Sequence, residues 1–258
     1  MRLPDNIYEL AKVYFGHHGC WHYLRLVPDD LGGQQVRDKC FPSGGFNPWP
    51  KGLRMQGQEY SGEDFFKFHR IMIRNFKWII TNAHGSPYPY VPWTDFPDWL
   101  SSMLDAMDPF YRRKLICAIE AMILGGSLDE LGRFIEGSPD GRQEQIARMP
   151  ALPRPNIHPT VHILVSVYEK NVFGPQTDCD MSNPYLAVYN EHFWRFHGWI
   201  DEIYARWQTA HGQSVEQSPL KPMKCEHMCP DCGQLFDQAN PWLSQWQEYL
   251  QSRSTEID

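Results

Sequence analysis

The chain has 258 residues, 42% apolar and 14% aromatic, which is enough to bury a large core and excludes disorder as the dominant state. With 24 Lys plus Arg against 31 Asp plus Glu, the net charge of −7 lacks the cation surplus of a phosphate-backbone binder, so nucleic acid is not an expected partner. No apolar run approaches the roughly 18 to 20 residues that cross a bilayer, and Met1-Arg2-Leu3-Pro4-Asp5 has no apolar leader core, so the expectation is a cytoplasmic chain with no membrane partner.

Helical periodicity dominates, and the chain reads as mainly α. A first helix is expected from about Asn6 to Leu26, with Ile7, Leu10, Ala11, Tyr14, His18 and His22 on one face and Pro28-Asp29-Asp30 ending it. Residues 30 to 60 read as irregular, because Gly32-Gly33, Pro42-Ser43-Gly44-Gly45 and Pro48-Trp49-Pro50 interrupt any pattern. Ser61 with Asp64 opens a long apolar helix reaching about Asn82, with His69 in its middle. After a proline-rich loop, Asp95 and Asp108 are expected to cap helices at about 97–107 and 109–124.

Ser127-Leu128-Asp129-Glu130 is a full capping box for a short helix ending at Gly137, and another short helix is expected at about 141–148. Asn156 can cap a helix from Ile157 to about Asn171, with Pro159 tolerated in the first turn because the N–H groups there have no intrahelical acceptor. A last long helix is expected from about Pro184 to Ala210. The domain reading is a helical domain over residues 1–212 and a cysteine-bearing tail over 213–258.

Two pairs, His18 with His22 and His158 with His162, have the spacing that puts both imidazoles on one helix face about a turn apart. That geometry chelates a metal, although two pairs among eleven histidines are only suggestive by themselves. His84, His192 and His211 read as surface or capping residues.

The surroundings of two further histidines carry more. Phe65-Phe66-Lys67-Phe68-His69-Arg70 resembles the helix bearing the third ligand of the first copper in tyrosinases. Asp180-Met181-Ser182-Asn183-Pro184 followed by Phe193-Trp194-Arg195-Phe196-His197-Gly198-Trp199-Ile200-Asp201 resembles the second copper site of the tyrosinase, catechol oxidase and hemocyanin superfamily. The order along the chain, pair, single, pair, single, also agrees. The resemblance is to the type-3 dicopper superfamily, and to its bacterial tyrosinase-like proteins, over roughly residues 10 to 210.

What the resemblance implies is a four-helix bundle core enclosing a dinuclear metal site, with long irregular loops. His18, His22 and His69 would hold one copper ion, with His17 an alternative to His18, and His158, His162 and His197 would hold the other. The implied activity is a copper oxidase that uses O2 on a phenolic small molecule, an o-diphenol, an o-aminophenol or a phenolic natural-product intermediate. A copper chaperone is a candidate loading partner. Asp201 is a candidate for helix anchoring and Glu191 for orienting a ligand or accepting a proton. Phe68, Phe193, Trp194 and Phe196 would exclude water.

Two positions depart from the family pattern. Tyr60 stands nine positions before His69, where many tyrosinases carry the second ligand of the first copper, and Pro159 replaces the Asn that orients a water for monophenol hydroxylation. Two other readings stay open: a non-catalytic O2 or copper binder on the same helices, and a mononuclear three-histidine metal protein using only the second site. In the tail, Cys225, His227, Cys229 and Cys232 are a candidate structural zinc site of the knuckle type.

Overall fold

The computed structural model describes residues 1–26, 33–40, 53–82, 88–137 and 157–222. Among them the chain is mainly α. The helices are α1 (Asp5–Tyr14), α2 (His17–Leu26), α3 (Gly33–Cys40), α4 (Ser61–Asn82), α5 (Asp98–Met107), α6 (Tyr111–Gly125), α7 (Leu128–Glu136), α8 (Ile157–Phe173) and α9 (Glu191–Ala210). Among the described residues the only β pairing is an isolated antiparallel bridge between Arg2 and Asn190. No described helix is long and apolar enough to cross a membrane.

Several expected boundaries are corrected. The expected first helix is two, because Phe15 caps α1 at φ −119°, ψ 5° and the His18 N–H then bonds the Phe15 carbonyl at 3.0 Å to start a new turn. The apolar face continues across the break, which hid it from a periodicity argument. Residues 33–40, expected to be irregular, are helical. Asp95 and Asp108 do not cap helices: Pro97 and Phe110 hold the N-cap positions, while Asp95 pairs with Arg112 and Asp108 with Lys114.

The helix expected from Pro184 starts only at Glu191. Asn190 is its N-cap, accepting from the His192 N–H at 2.9 Å, and a 3-10 turn at Ala187–Tyr189 precedes it. The capping box at Ser127 is present with both reciprocal bonds, and Gly137 ends α7 at φ 91°. The short helix expected at 141–148, the cap at Asn156, His84 and the tail ligands Cys225, His227, Cys229 and Cys232 lie outside the described residues.

α4 is the axis of the packing. It lies against α9 and, at its N-terminal end, against α7, which in turn meets α8. At the α4–α7 crossing Gly62 and Gly132 touch backbone to backbone, and a Cβ on either would overlap the other strand of main chain. The Gly62 N–H also donates to the Asp129 carboxylate at 2.9 Å. α2 is fastened to this crossing by a buried pair between Arg25 and Glu136, and Arg25 Nη2 donates to the Ser61 carbonyl at 2.8 Å. Residues after α9 remain attached: the Leu220 N–H donates to the Arg74 carbonyl at 3.1 Å, and Gln217 Nε2 to Asp201 Oδ2 at 2.9 Å.

Candidate metal centre

α2, α4, α8 and α9 carry the six histidines singled out in the sequence, and the fold brings all six together. Ring centroids stand 4.6 Å apart for His18 and His22, 5.5 Å for His22 and His69, and 4.7 Å for His69 and His197. His158 lies 4.8 Å from His162 and 5.2 Å from His197. Five of the six are buried and His22 is half-buried. Of the alternatives for the first ligand, His18 is the one in the cluster; His17 packs its ring edge on Phe68, 5.8 Å away.

Backbone carbonyls set the orientation of four of these rings. Nδ1–H of His69 donates to the Phe65 carbonyl at 2.8 Å, and Nδ1–H of His197 to the Phe193 carbonyl at 2.7 Å, each one turn back in its own helix. His18 donates in the same way to Pro184 and His162 to Met181, both at 2.8 Å. A carbonyl only accepts, so the proton sits on Nδ1 and a neutral ring then presents Nε2 as a bare lone pair.

The rings are kept neutral by their surroundings. Burial depresses His69 to about 3 and His162 to about 4, and burial with the neighbouring histidines holds His18, His22, His158 and His197 well below the usual imidazole range. Two of these lone pairs accept from a neighbouring imidazole in the metal-free centre: Nε2–H of His22 donates to Nε2 of His18 at 3.1 Å, and Nε2–H of His158 to Nε2 of His197 at 3.0 Å. Nε2 of His69 and of His162 are buried with no hydrogen-bond partner among the described residues. Each such orphan costs a fold roughly 1–3 kcal/mol, which a bound cation would offset.

The donor set therefore fits a metal: neutral imidazoles, tautomers fixed by carbonyls, lone pairs converging in a dry interior. Two close groups of ligating nitrogens form, His18 with His22 and His69, and His69 with His158 and His197, all within 4.8 Å in each group. The second differs from the expected trio, because His69 stands in it where His162 was expected. His162 remains adjacent, its ring 5.2 Å from His197.

The loop before α9 is a built support. Asp180 Oδ1 accepts from the Ser182 N–H at 2.8 Å and from the Ser166 hydroxyl at 2.6 Å, and Asn183 Oδ1 accepts from the Tyr185 N–H at 2.9 Å. That locks a turn whose carbonyls at Met181 and Pro184 hold one histidine of α8 and one of α2. The segment was legible as a motif; its task of steering two rings was not.

Around the histidines lies an aromatic jacket. Phe193 stacks on His197 at 3.9 Å and meets His18 edge-on at 4.8 Å, while Phe196 lies 6.0 Å from both His158 and His162. Phe68 lies 5.2 Å from His69. Trp194 does not line the centre as expected; it stacks on Phe76 at 3.9 Å. Phe65, 5.1 Å from His158, and Trp21, 4.8 Å from His22, were missed and do line it.

Asp201 stands one turn beyond His197 and forms a buried ion pair with Arg70, the neighbour of His69. Arg70 also donates to the Asp201 carbonyl at 3.0 Å and to Gln208 at 2.9 Å. The network ties α4 to α9 beside His69 and His197. Glu191, at the start of α9, pairs with Arg195 one turn on. His192, read as a surface or capping residue, is instead buried between Trp93 and Trp99, and burial lowers it to about 3.

Residues 118–210 match the family model described as the common central domain of tyrosinase. The match takes in His158, His162 and His197, while His18, His22 and His69 precede it. No curated protein and no solved structure matches the chain.

Proposed function

We propose, from the match of residues 118–210 to the common central domain of tyrosinase, that the protein is a dicopper oxidase of the type-3 copper superfamily that uses O2 to oxidise a phenolic small molecule. The observation that carries the proposal is the convergence of six imidazoles from four helices, with four tautomers fixed by backbone carbonyls. A cluster of this size supports two ions more than the single ion of a mononuclear protein.

His18, His22 and His69 would hold one copper, and His158, His162 and His197 the other. Copper, when bound, supplies the electron exchange between O2 and the phenol. The chain's own residues do the rest. The carbonyls of Phe65, Met181, Pro184 and Phe193 keep each Nε2 aimed inward. Phe65, Phe193 and Phe196 keep water away from the centre. The Arg70–Asp201 pair fixes the spacing of α4 and α9.

An o-diphenol or o-aminophenol suits this site better than a monophenol. Pro159 follows His158 in the first turn of α8 and offers neither an N–H nor a side-chain amide to orient a water. The balanced reaction for a diphenol consumes two substrate molecules and one O2 and releases two o-quinones and two waters.

The test is reconstitution of the purified chain with copper, followed by admission of O2. The proposal expects a near-ultraviolet charge-transfer band that rises with O2 and falls on degassing, together with quinone formation from catechol. A band without turnover would mark an O2 binder, and neither band nor turnover would overturn the oxidase reading.

A further inference from the structure

His69 belongs to both close groups of ligating nitrogens, one with His18 and His22 and one with His158 and His197. It has a single lone pair to give, because its Nδ1–H is committed to the Phe65 carbonyl at 2.8 Å. One lone pair serves one ion at a time. His162 has the complementary property: among the described residues its buried Nε2 has no hydrogen-bond partner and belongs to neither group, yet its ring stands 4.8 Å from His158 and 5.2 Å from His197.

Resting on the dicopper reading, we propose that the centre loads through a shared triad. His69, His158 and His197 take the first copper, and His162 replaces His69 when the second copper arrives at His18 and His22. The triad is ready before the exchange. His69 and His197 stack at 4.7 Å and 22°, each ring held by a carbonyl of its own helix, and His158 Nε2 is already 3.0 Å from His197 Nε2. Holding the first ion there asks little movement of either helix.

The second step has a direction built into it. His22 stands outside that triad, its Nε2 3.1 Å from Nε2 of His18. With His18 it offers two nitrogens and lacks a third, which among the described residues His69 completes. Transfer of His69 leaves His158 and His197 one ligand short, and the unengaged Nε2 of His162 lies beside them. Each ion ends with three imidazoles, and no ligand is left bridging.

The experiment uses the full chain labelled with nitrogen-15 histidine and with Cys225, Cys229 and Cys232 changed to serine, so that tail thiolates do not capture the metal. Copper(I), which is diamagnetic, is added under argon from a competing chelator. At one equivalent the Nε2 resonances of His69, His158 and His197 should shift while that of His162 stays put; His18, His22 and His162 should follow at the second. In the same titration H69A should weaken the first equivalent at least about tenfold, and H162A should leave it within about twofold while weakening the second. A His162 resonance that moves with the first equivalent, with H69A leaving that step unchanged, would overturn the shared triad and leave the dicopper reading standing. Copper(I) binding that H197A does not alter at either step would overturn both.

Discussion

Replacing Asp201 with asparagine tests how the helices that carry His69 and His197 are held. Asp201 is 3% exposed and its carboxylate meets Arg70, itself 6% exposed, so the substitution leaves a buried guanidinium without its counter-charge. Breaking one side of a buried pair costs about 3–5 kcal/mol in general. Here the lower end applies, because Arg70 keeps the Asp201 carbonyl at 3.0 Å and Gln208 at 2.9 Å. About 3 kcal/mol in a chain of this size corresponds to a fall in Tm of roughly 6–12 °C. Differential scanning calorimetry of the metal-free protein measures it directly. The helix-anchoring role has a second consequence: D201N should weaken copper binding even though Asp201 touches no ligand ring. A Tm within about 2 °C of the parent, with copper affinity unchanged, would refute the reasoning.

Other consequences follow from the same geometry. Gly132→Ala puts a methyl group into the Gly62 backbone and should destabilise by about 1–3 kcal/mol or more, read from urea unfolding. Asp180→Ala unlocks the turn that carries the Met181 and Pro184 carbonyls, so it should weaken copper binding at both trios at once, measured by chelator competition. The metal-free protein should be acid-labile: His69 and His162 titrate in the fold at about 3 and about 4, below the unfolded value of 6.5, so the unfolded chain binds more protons as pH falls. Stability from these two rings is whole above pH about 6.5 and falls by up to about 3 kcal/mol per pH unit between about 5.5 and 4.5, which denaturant titrations at stepped pH would reveal. Catechol should be turned over far faster than tyrosine because of Pro159, and oxygen-uptake rates on the two substrates decide it.

What the sequence made legible was local chemistry. The capping box at Ser127 and Glu130 announces α7 because both partners lie within one turn, and the apolar spacing from Phe65 to Trp78 announces α4 because its face is continuous. That same continuity hid the break at Phe15, since a face can persist while the backbone changes direction. The start of α9 was expected at Pro184, where the backbone instead runs through the 3-10 turn at Ala187–Tyr189 before Asn190 caps the helix.

At the candidate metal centre, the six clustered histidines could be singled out because side chains carry sequence signals and flanking motifs distinguish them. The groups that aim them were not, because a carbonyl at Phe65 or Met181 looks like any other until the chain folds. Nor could spacing show that the ligating nitrogen of His69 groups with those of His158 and His197, since that depends on how α4 crosses α9. Trp21 and Phe65 were missed although one adjoins His22 and the other lies one turn before His69, because an aromatic residue on a helix face reads as core until its ring is seen against an imidazole.

The most direct measurement is a crystal structure of the copper-loaded protein with anomalous scattering recorded at the copper edge. Two peaks are expected, each about 2.0–2.1 Å from three imidazole nitrogens, one set His18, His22 and His69 and the other His158, His162 and His197. A single peak, or copper bound elsewhere with the six rings unligated, would contradict the paired centre.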